Sequence, residues 1–77
     1  MNTEKTFADR LKELRNIRNY TQEELGKITN ISVQSIRRYE QGRLNEEPSA
    51  YNLLQLAKAL DVTPEYLLIG DNWIGYN

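Results

Sequence analysis

Apolar residues recur three or four positions apart in five stretches of the chain, a spacing that places them on one face of a helix. In the first stretch these residues are Phe7, Leu11 and Leu14, with Ile17 as a fourth candidate. The pattern predicts five helices, over residues 6–18, 22–29, 33–41, 49–60 and 64–69. We therefore expect an all-α fold in which five short helices pack into one compact domain.

Polar residues at the predicted helix ends support these boundaries. A residue with a side-chain hydroxyl precedes or opens each helix, namely Thr6, Thr21, Ser32, Ser49 and Thr63. Such a hydroxyl accepts a hydrogen bond from a free backbone N–H group of the first turn. Glu24, three residues after Thr21, completes a capping box. Gly42 suits the position that ends the third helix.

The second and third predicted helices are joined by a turn of very few residues. Asn30 tolerates the left-handed conformation that such a turn needs, and Ile31 follows it as an apolar plug. Gly26 is small enough to let the two helix backbones cross closely, while Ile36 and Tyr39 form the inner face of the third helix. This arrangement is typical of a helix-turn-helix motif.

Five segments of the sequence stand in the order and spacing of one known family. They are RLKELR at 10–15, TQEEL at 21–25, ISVQSIRRYEQG at 31–42, NLLQLAKAL at 52–60 and TPEYLL at 63–68. Through these segments the chain resembles the Cro/C1-type (XRE-like, lambda-repressor-like) helix-turn-helix family over residues 7–69. It departs from the family at Gly26, where alanine is usual. The resemblance implies a five-helix DNA-binding domain, over residues 6–69, that usually acts as a dimer.

The resemblance identifies the third predicted helix as the one that enters the major groove of operator DNA. Val33, Gln34 and Arg37 on its outer face are the expected base contacts. Gln pairs well with adenine and Arg with guanine, and a valine suits a thymine methyl group. Contacts to phosphate are expected from Gln22, Ser32, Ser35, Arg38 and Arg43. A polar helix face that touches only water is the alternative.

The resemblance also implies one structural ion pair, between Arg15 of the first helix and Glu40 of the third. Neither residue is expected to be catalytic. Removing one partner of a partly buried pair leaves the other charge stranded, which costs several kcal/mol. We therefore expect the pair to stabilise the domain rather than to contact DNA.

The overall charge of the chain argues against a nucleic-acid partner, but its distribution favours one. The net charge is −1 and the sequence pI is about 5.4. Residues 1–45 contain nine Lys or Arg and six Asp or Glu, whereas residues 46–77 contain one and five. A basic half is suited to face phosphate while the acidic half faces away. In the alternative interpretation the asymmetry is ordinary surface charge.

The side chains present exclude several classes of function. The chain has no Cys and no His, so it lacks the usual groups for metal binding and for acid–base or nucleophilic catalysis. We therefore expect neither an enzyme nor a cofactor. No apolar run reaches the ~18 residues of a membrane span, and the polar N-terminus is unlike a signal peptide. We expect a cytoplasmic protein with no membrane partner and no small-molecule ligand.

Two end segments and one apolar residue have no assigned role in this helix pattern. Residues 1–5 are expected to be a flexible N-terminus, and residues 70–77 an apolar tail. The large side chains of the tail are Trp73, Ile74 and Tyr76. The tail packs on its own domain, in a homodimer or on another partner, since exposed apolar groups often mark an interface. Ile28 is either an edge of the core or part of a partner surface, and Thr29 is the alternative to it on the apolar edge of the second helix.

The leading hypothesis is a sequence-specific transcriptional regulator, a dimeric repressor that reads a palindromic operator in double-stranded DNA. The alternative is an antitoxin-like or partner-binding helix-turn-helix module with weak DNA binding. The position of the apolar tail distinguishes the two hypotheses, because a tail that is free favours a partner other than a second copy.

Overall fold

The described residues of a computed structural model, 5–43 and 47–70, form five α-helices. The helices are α1 (Phe7–Ile17), α2 (Gln22–Thr29), α3 (Val33–Gln41), α4 (Ala50–Leu60) and α5 (Pro64–Ile69). The all-α prediction is confirmed, and each helix begins and ends within one residue of its predicted bounds. The predicted flexible N-terminus, except Lys5, and the predicted apolar tail, except Gly70, lie outside the described residues.

Each helix begins at a side-chain cap. A hydroxyl oxygen accepts a hydrogen bond from the backbone N–H three residues later at Thr6, Thr21, Ser32, Ser49 and Thr63. Thr6 and Thr21 form complete capping boxes with Asp9 and Glu24. Because the carboxylate in such a box accepts the N–H of the capping residue itself, two donors that the helix leaves free are satisfied at once.

Residues in the left-handed conformation lie at the turns between helices. Asn30 ends α2 with φ 59° and ψ 34°, and Gly42 ends α3 with φ 73°. Asn19 and Asp61 also have positive φ, in the turns after α1 and α4. Asn and Asp tolerate this region better than other residues that carry a side chain, because their short polar groups hydrogen-bond locally. The chain therefore reverses direction over very few residues, which keeps the helices close together.

The core lies between all five helices. Its largest fully buried apolar side chains are Leu11, Leu25, Ile36, Leu56, Leu60 and Leu67. Helix α3 packs against α1 and α2, while α4 packs against α2 and α5, and α5 returns to α1. Helix α3 thus has one face committed to the core and the opposite face left at the surface.

Two apolar residues lie elsewhere than the helical spacing suggests. Ile17, the fourth candidate for the buried face of α1, is 66 % exposed, so this prediction is wrong. It is the last residue of α1, where the chain already leaves the core for the turn. In α2 the buried position belongs to Thr29, whose hydroxyl donates to the carbonyl of Leu25 at 2.7 Å. Ile28 is half exposed and is not part of the core.

Arg10 is a buried cation that the sequence pattern did not single out. Its Nη1, Nε and Nη2 donate to the carbonyls of Lys5, Leu67 and Leu68 at 2.7, 2.9 and 2.6 Å. The guanidinium therefore satisfies carbonyls at the end of α5 that no helical N–H reaches. Gly70 lies against it with φ 72°, and a Cβ there would be 2.8 Å from Nη1. Arg10 was detectable as a residue on the apolar face of α1, three positions after Phe7.

Arg15 and Glu40 form a two-pronged ion pair between α1 and α3. Nε of Arg15 lies 2.7 Å from Oε2 of Glu40, and Nη2 lies 3.0 Å from Oε1. Nη1 donates to the carbonyl of Tyr20 at 2.8 Å. The two side chains are 13 % and 3 % exposed, and hydrogen bonding to Glu40 raises the pKa of Arg15 above its usual value. The pair ties α1 to α3 and to the turn before α2.

Gly26 lies where α2 meets the turn that leads into α3. A Cβ on Gly26 would be 2.8 Å from the carbonyl oxygen of Ile31 and 3.7 Å from the backbone nitrogen of Val33. The first distance is too short for a carbon–oxygen contact, and its partner is backbone rather than a flexible side chain. In this chain the close approach of the turn therefore depends on glycine.

We expect Arg15→Ala to reduce the free energy of unfolding by about 3–5 kcal/mol, because it leaves the carboxylate of Glu40 buried without its cation. Arg18→Ala is the matched control. It removes a 3.3 Å pair with Asp61 in which both side chains are exposed, and should cost at most about 1 kcal/mol. Urea denaturation of both variants measures the difference. Equal losses would contradict a structural role for the Arg15–Glu40 pair.

Gly26→Ala is expected to lower stability by about 1 kcal/mol net. Alanine gains about 1 kcal/mol of helix propensity over glycine, but overpacking against fixed backbone costs about 1–3 kcal/mol. The melting temperature of the variant shows whether the net change in stability is a loss or a gain. Lys27→Ala, at the next position, which is exposed, is the control. A melting temperature above that of the wild type would mean that the turn yields readily to the added methyl group.

Candidate nucleic-acid interface

The outer face of α3 carries the three residues predicted to contact bases. Ile36 and Tyr39 are buried in the core, so Gln34 and Arg37 lie on the outer side of the helix and Val33 lies at the edge between the two sides. Gln34 and Arg37 are exposed, and Val33 is partly buried at the first helical position. Helix α3 has nine residues. It is therefore ~14 Å long, and its diameter of about 10–12 Å with side chains fits the ~12 Å wide major groove.

Polar and aromatic contacts fix the inner face of α3. The hydroxyl of Tyr39 accepts a hydrogen bond from Nδ2 of Asn52 in α4 at 3.1 Å. The Tyr39 ring also meets the ring of Phe7 in α1 edge to face, with centroids 6.0 Å apart. With the ion pair of Glu40, these contacts attach α3 to two other helices. The side chains on its outer face therefore project from a fixed backbone.

Three of the residues predicted to contact phosphate form one hydrogen-bonded cluster at the start of α3. Oγ of Ser32 accepts the backbone N–H of Ser35 at 3.1 Å, and the two hydroxyl oxygens are 3.0 Å apart. Nη2 of Arg38 donates to Oγ of Ser35 at 3.4 Å. Hydroxyl, guanidinium and helix N-terminus thus converge at one place, and each of these groups suits a phosphate oxygen.

Gln22, predicted to contact phosphate, is the first residue of α2 and is partly buried. Its Nε2 donates to Oε1 of Glu40 at 3.1 Å, so the carboxylate that binds Arg15 also binds this amide. An amide nitrogen carries two N–H groups. The bond to Glu40 uses one and fixes the side chain at the N-terminus of α2, where the helix dipole favours an anion.

Arg37 is tied to a residue that the sequence interpretation did not assign to the site. Its Nη2 donates to Oε2 of Glu23 in α2 at 3.2 Å. In the sequence Glu23 was notable only as one of two adjacent acidic residues, Glu23 and Glu24. Sequence spacing gave no signal for the pair, because the two partners lie on different helices, 14 positions apart.

The acidic side chains of α2 and α3 are all engaged within the protein. Glu24 belongs to the capping box of Thr21, Glu23 binds Arg37, and Glu40 binds Arg15. Glu40 is the one acidic residue of α3 and is buried. The exposed face of α3 therefore presents arginine and amide groups without a carboxylate of its own, which favours a polyanion.

Arg43, also predicted to contact phosphate, is exposed directly after the glycine that ends α3. The residues that follow it, 44–46, lie outside the described part of the chain. The five predicted phosphate contacts and Arg37 thus fall into three groups. The serine and Arg38 cluster lies at the start of α3, Gln22 and Arg37 are held by carboxylates, and Arg43 lies beyond the other end of α3.

Two other kinds of site are absent from the described part of the chain. Within residues 5–43 and 47–70, no helix combines the length and the apolar character of a membrane span. In those residues no group of three His, Cys, Asp or Glu side chains is arranged to hold a metal ion. The surface of α2 and α3 remains the candidate site.

The chain is similar to proteins that carry the same motif. A family model described as helix-turn-helix matches residues 11–67. Repressor protein C2 of Salmonella phage P22 is 39 % identical over 71 residues, which cover 92 % of this chain and 32 % of C2. The HTH-type transcriptional regulator DicA of Escherichia coli K12 is 35 % identical over 66 residues, covering 86 % and 47 %. The crystal structure of the P22 c2 repressor with a synthetic operator has a TM-score of 0.81 at 35 % identity, covering 88 % of this chain and 100 % of that chain.

The similarity extends over the helices that build the candidate interface. The family match runs from Leu11 in α1 to Leu67 in α5, and so includes α2, α3 and the turn between them. The chain spans about a third of the length of C2 and about half of the length of DicA. Because the family model matches most of the sequence, and in the order of elements described above, the chain belongs to the Cro/C1-type helix-turn-helix family.

Proposed function

We propose that this protein binds a specific sequence of double-stranded DNA through α3 and regulates transcription as a repressor. The outer face of α3 carries the proposal. It presents Gln34 and Arg37 beside Arg38, and its single acidic residue, Glu40, is buried. Amide and guanidinium groups on an exposed helix suit the base edges and phosphates of a major groove. The similarity to the P22 c2 repressor, whose crystal structure holds a synthetic operator, supports this function.

The residues divide into those that set register and those that read sequence. Contacts to phosphate fix the orientation of a protein on the duplex but carry little sequence information. We assign this role to Gln22, Ser32, Ser35, Arg38 and Arg43. Base edges are read by Gln34 and Arg37, and Val33 contacts a thymine methyl group. The cluster at the start of α3 binds one groove wall, and Gln22 at the start of α2 binds a nearby phosphate.

The protein acts as a two-fold dimer on a palindromic operator. One α3 helix reaches only a few base pairs, whereas two related by a two-fold axis enter successive major grooves about 34 Å apart. Leu68 and Ile69 at the end of α5 are exposed apolar residues, which supports a contact between copies at this end of the domain.

Repression follows when the dimer occupies its operator. A dimer that covers a promoter excludes RNA polymerase from the same DNA, and this requires only that the operator be bound. The alternative, a module that binds a protein partner and DNA only weakly, differs in its salt dependence and sequence preference. Both are measured by the experiment below.

Arg37→Ala should lose about 1–3 kcal/mol of binding to the preferred duplex and relax the preference at one base pair. The preferred duplex is obtained by selecting binding sites from random DNA, which should enrich a palindrome. Lys58→Ala in α4 removes the same charge away from α3 and is the matched control. Equal weakening of all sequences by Arg37→Ala would assign Arg37 to phosphate, and no enriched sequence would refute the repressor function.

Affinity for the enriched duplex should fall steeply with salt, because each phosphate contact releases counterions. Arg43→Ala should reduce the slope of log affinity against log salt by about 1, with an equal loss on all sequences. Gln34→Ala should leave the slope unchanged and relax one base preference. A slope that Arg43→Ala does not alter would exclude Arg43 from the phosphate contacts.

Ile69→Lys should raise the dimer dissociation constant, since it places a charge in the apolar contact between copies. Ile17→Lys makes the same change at an exposed isoleucine at the end of α1. This control variant should leave the dimer dissociation constant unchanged. Sedimentation equilibrium of the two variants gives the comparison. A dimer unaffected by Ile69→Lys would exclude the end of α5 from the contact.

A further inference from the structure

Glu23 and Arg37 join the outer faces of α2 and α3. Nη2 of Arg37 lies 3.2 Å from Oε2 of Glu23, and the two side chains are 63 % (Glu23) and 48 % (Arg37) exposed. Water screens both charges of such an exposed pair, so it adds little to the stability of the fold. Its effect is therefore to be sought in the behaviour of Arg37 toward a ligand.

A carboxylate at this position is unfavourable for a protein that only needs to bind phosphate. Of the three carboxylates in α2 and α3, Glu24 caps α2 and Glu40 binds Arg15, whereas Glu23 engages Arg37. Glu23 brings a negative charge beside the helix that faces DNA and neutralises one of the cations there. Since non-specific affinity depends on uncompensated cations, Glu23 lowers it.

We infer that Glu23 is a specificity-determining residue that aims Arg37 at a guanine, an inference that rests on the DNA-binding function proposed above. The guanidinium has five N–H groups, and both terminal nitrogens carry two. The single bond from Nη2 to Glu23 therefore leaves one N–H on Nη2 and the pair on Nη1. One N–H from each terminal nitrogen gives the two adjacent donors that O6 and N7 of guanine accept.

The carboxylate acts on Arg37 in two ways. It favours one conformation of the long side chain before DNA is bound, which reduces the rotamer entropy lost in the complex. It also weakens the attraction of Arg37 to phosphate, the competing ligand on every sequence. On the correct sequence the contact of Arg37 with guanine offsets this weaker attraction to phosphate. On other sequences no such contact offsets it. Glu23 therefore weakens binding to wrong sequences more than to the right one.

The experiment compares the full chain with Glu23→Gln, which keeps the shape of the side chain and removes its charge. Glu65→Gln, the same change at an exposed position in α5, is the matched control. Three duplexes of equal length are the probes. They are the duplex enriched by the wild type, that duplex with the guanine–cytosine pair that depends on Arg37 replaced by adenine–thymine, and unselected random DNA.

Glu23→Gln should bind random DNA more tightly than the wild type and lose about tenfold in discrimination between the first two duplexes, as expected when a bidentate contact is loosened. Glu65→Gln should leave that discrimination unchanged. In an Arg37→Ala background Glu23→Gln should have no further effect on discrimination, because its target is gone.

Equal changes for Glu23→Gln and Glu65→Gln on all three duplexes, or weaker binding of random DNA by Glu23→Gln, would overturn the role of Glu23. Those outcomes leave the DNA-binding function standing. If the wild type enriches no sequence, the function itself fails and the inference fails with it. The two failures are therefore distinguishable.

Discussion

The buried carboxylate of Glu40 holds the structure together at the point where the fold meets the candidate interface. It accepts hydrogen bonds from two nitrogens of Arg15 in α1 and from the amide of Gln22 in α2, while it is itself part of α3. A charge removed from water must be paired, or its burial is very costly. The relative placement of three helices is therefore set by the need to satisfy one anion, and the start of α2 is aligned with α3 by the same group.

This use of acidic residues explains how a chain with net charge −1 presents arginines on the outer face of α3. A carboxylate that caps a helix, or that is buried against an arginine, acts less strongly as a negative charge toward a ligand than an exposed one does. In α2 and α3 the capping box of Glu24 and the buried pair of Glu40 do this, and the outer face of α3 keeps its arginines. Net charge alone therefore misleads for small domains, because the position of each acid decides what a polyanion meets.

The helices and their ends were predictable from sequence because their causes are local. A hydroxyl that caps a first turn, and an asparagine that turns left-handed, act within three or four residues. The side-chain contacts between different helices were less predictable from the sequence. Arg10 binds carbonyls 57 and 58 positions away, and Glu23 meets Arg37 only because the turn at Asn30 sets the angle between α2 and α3. The prediction that Ile17 is buried was wrong for a related reason, since the apolar periodicity of α1 continues for one residue beyond the core.

The contacts of Arg10 have a consequence for how this domain is joined to anything else. One planar guanidinium binds the carbonyl of Lys5, where the chain enters α1, and those of Leu67 and Leu68, where it leaves α5. Entry and exit of the folded unit are thus adjacent. A folded unit whose entry and exit are adjacent is suited to insertion into a surface loop of a host protein with little strain on either.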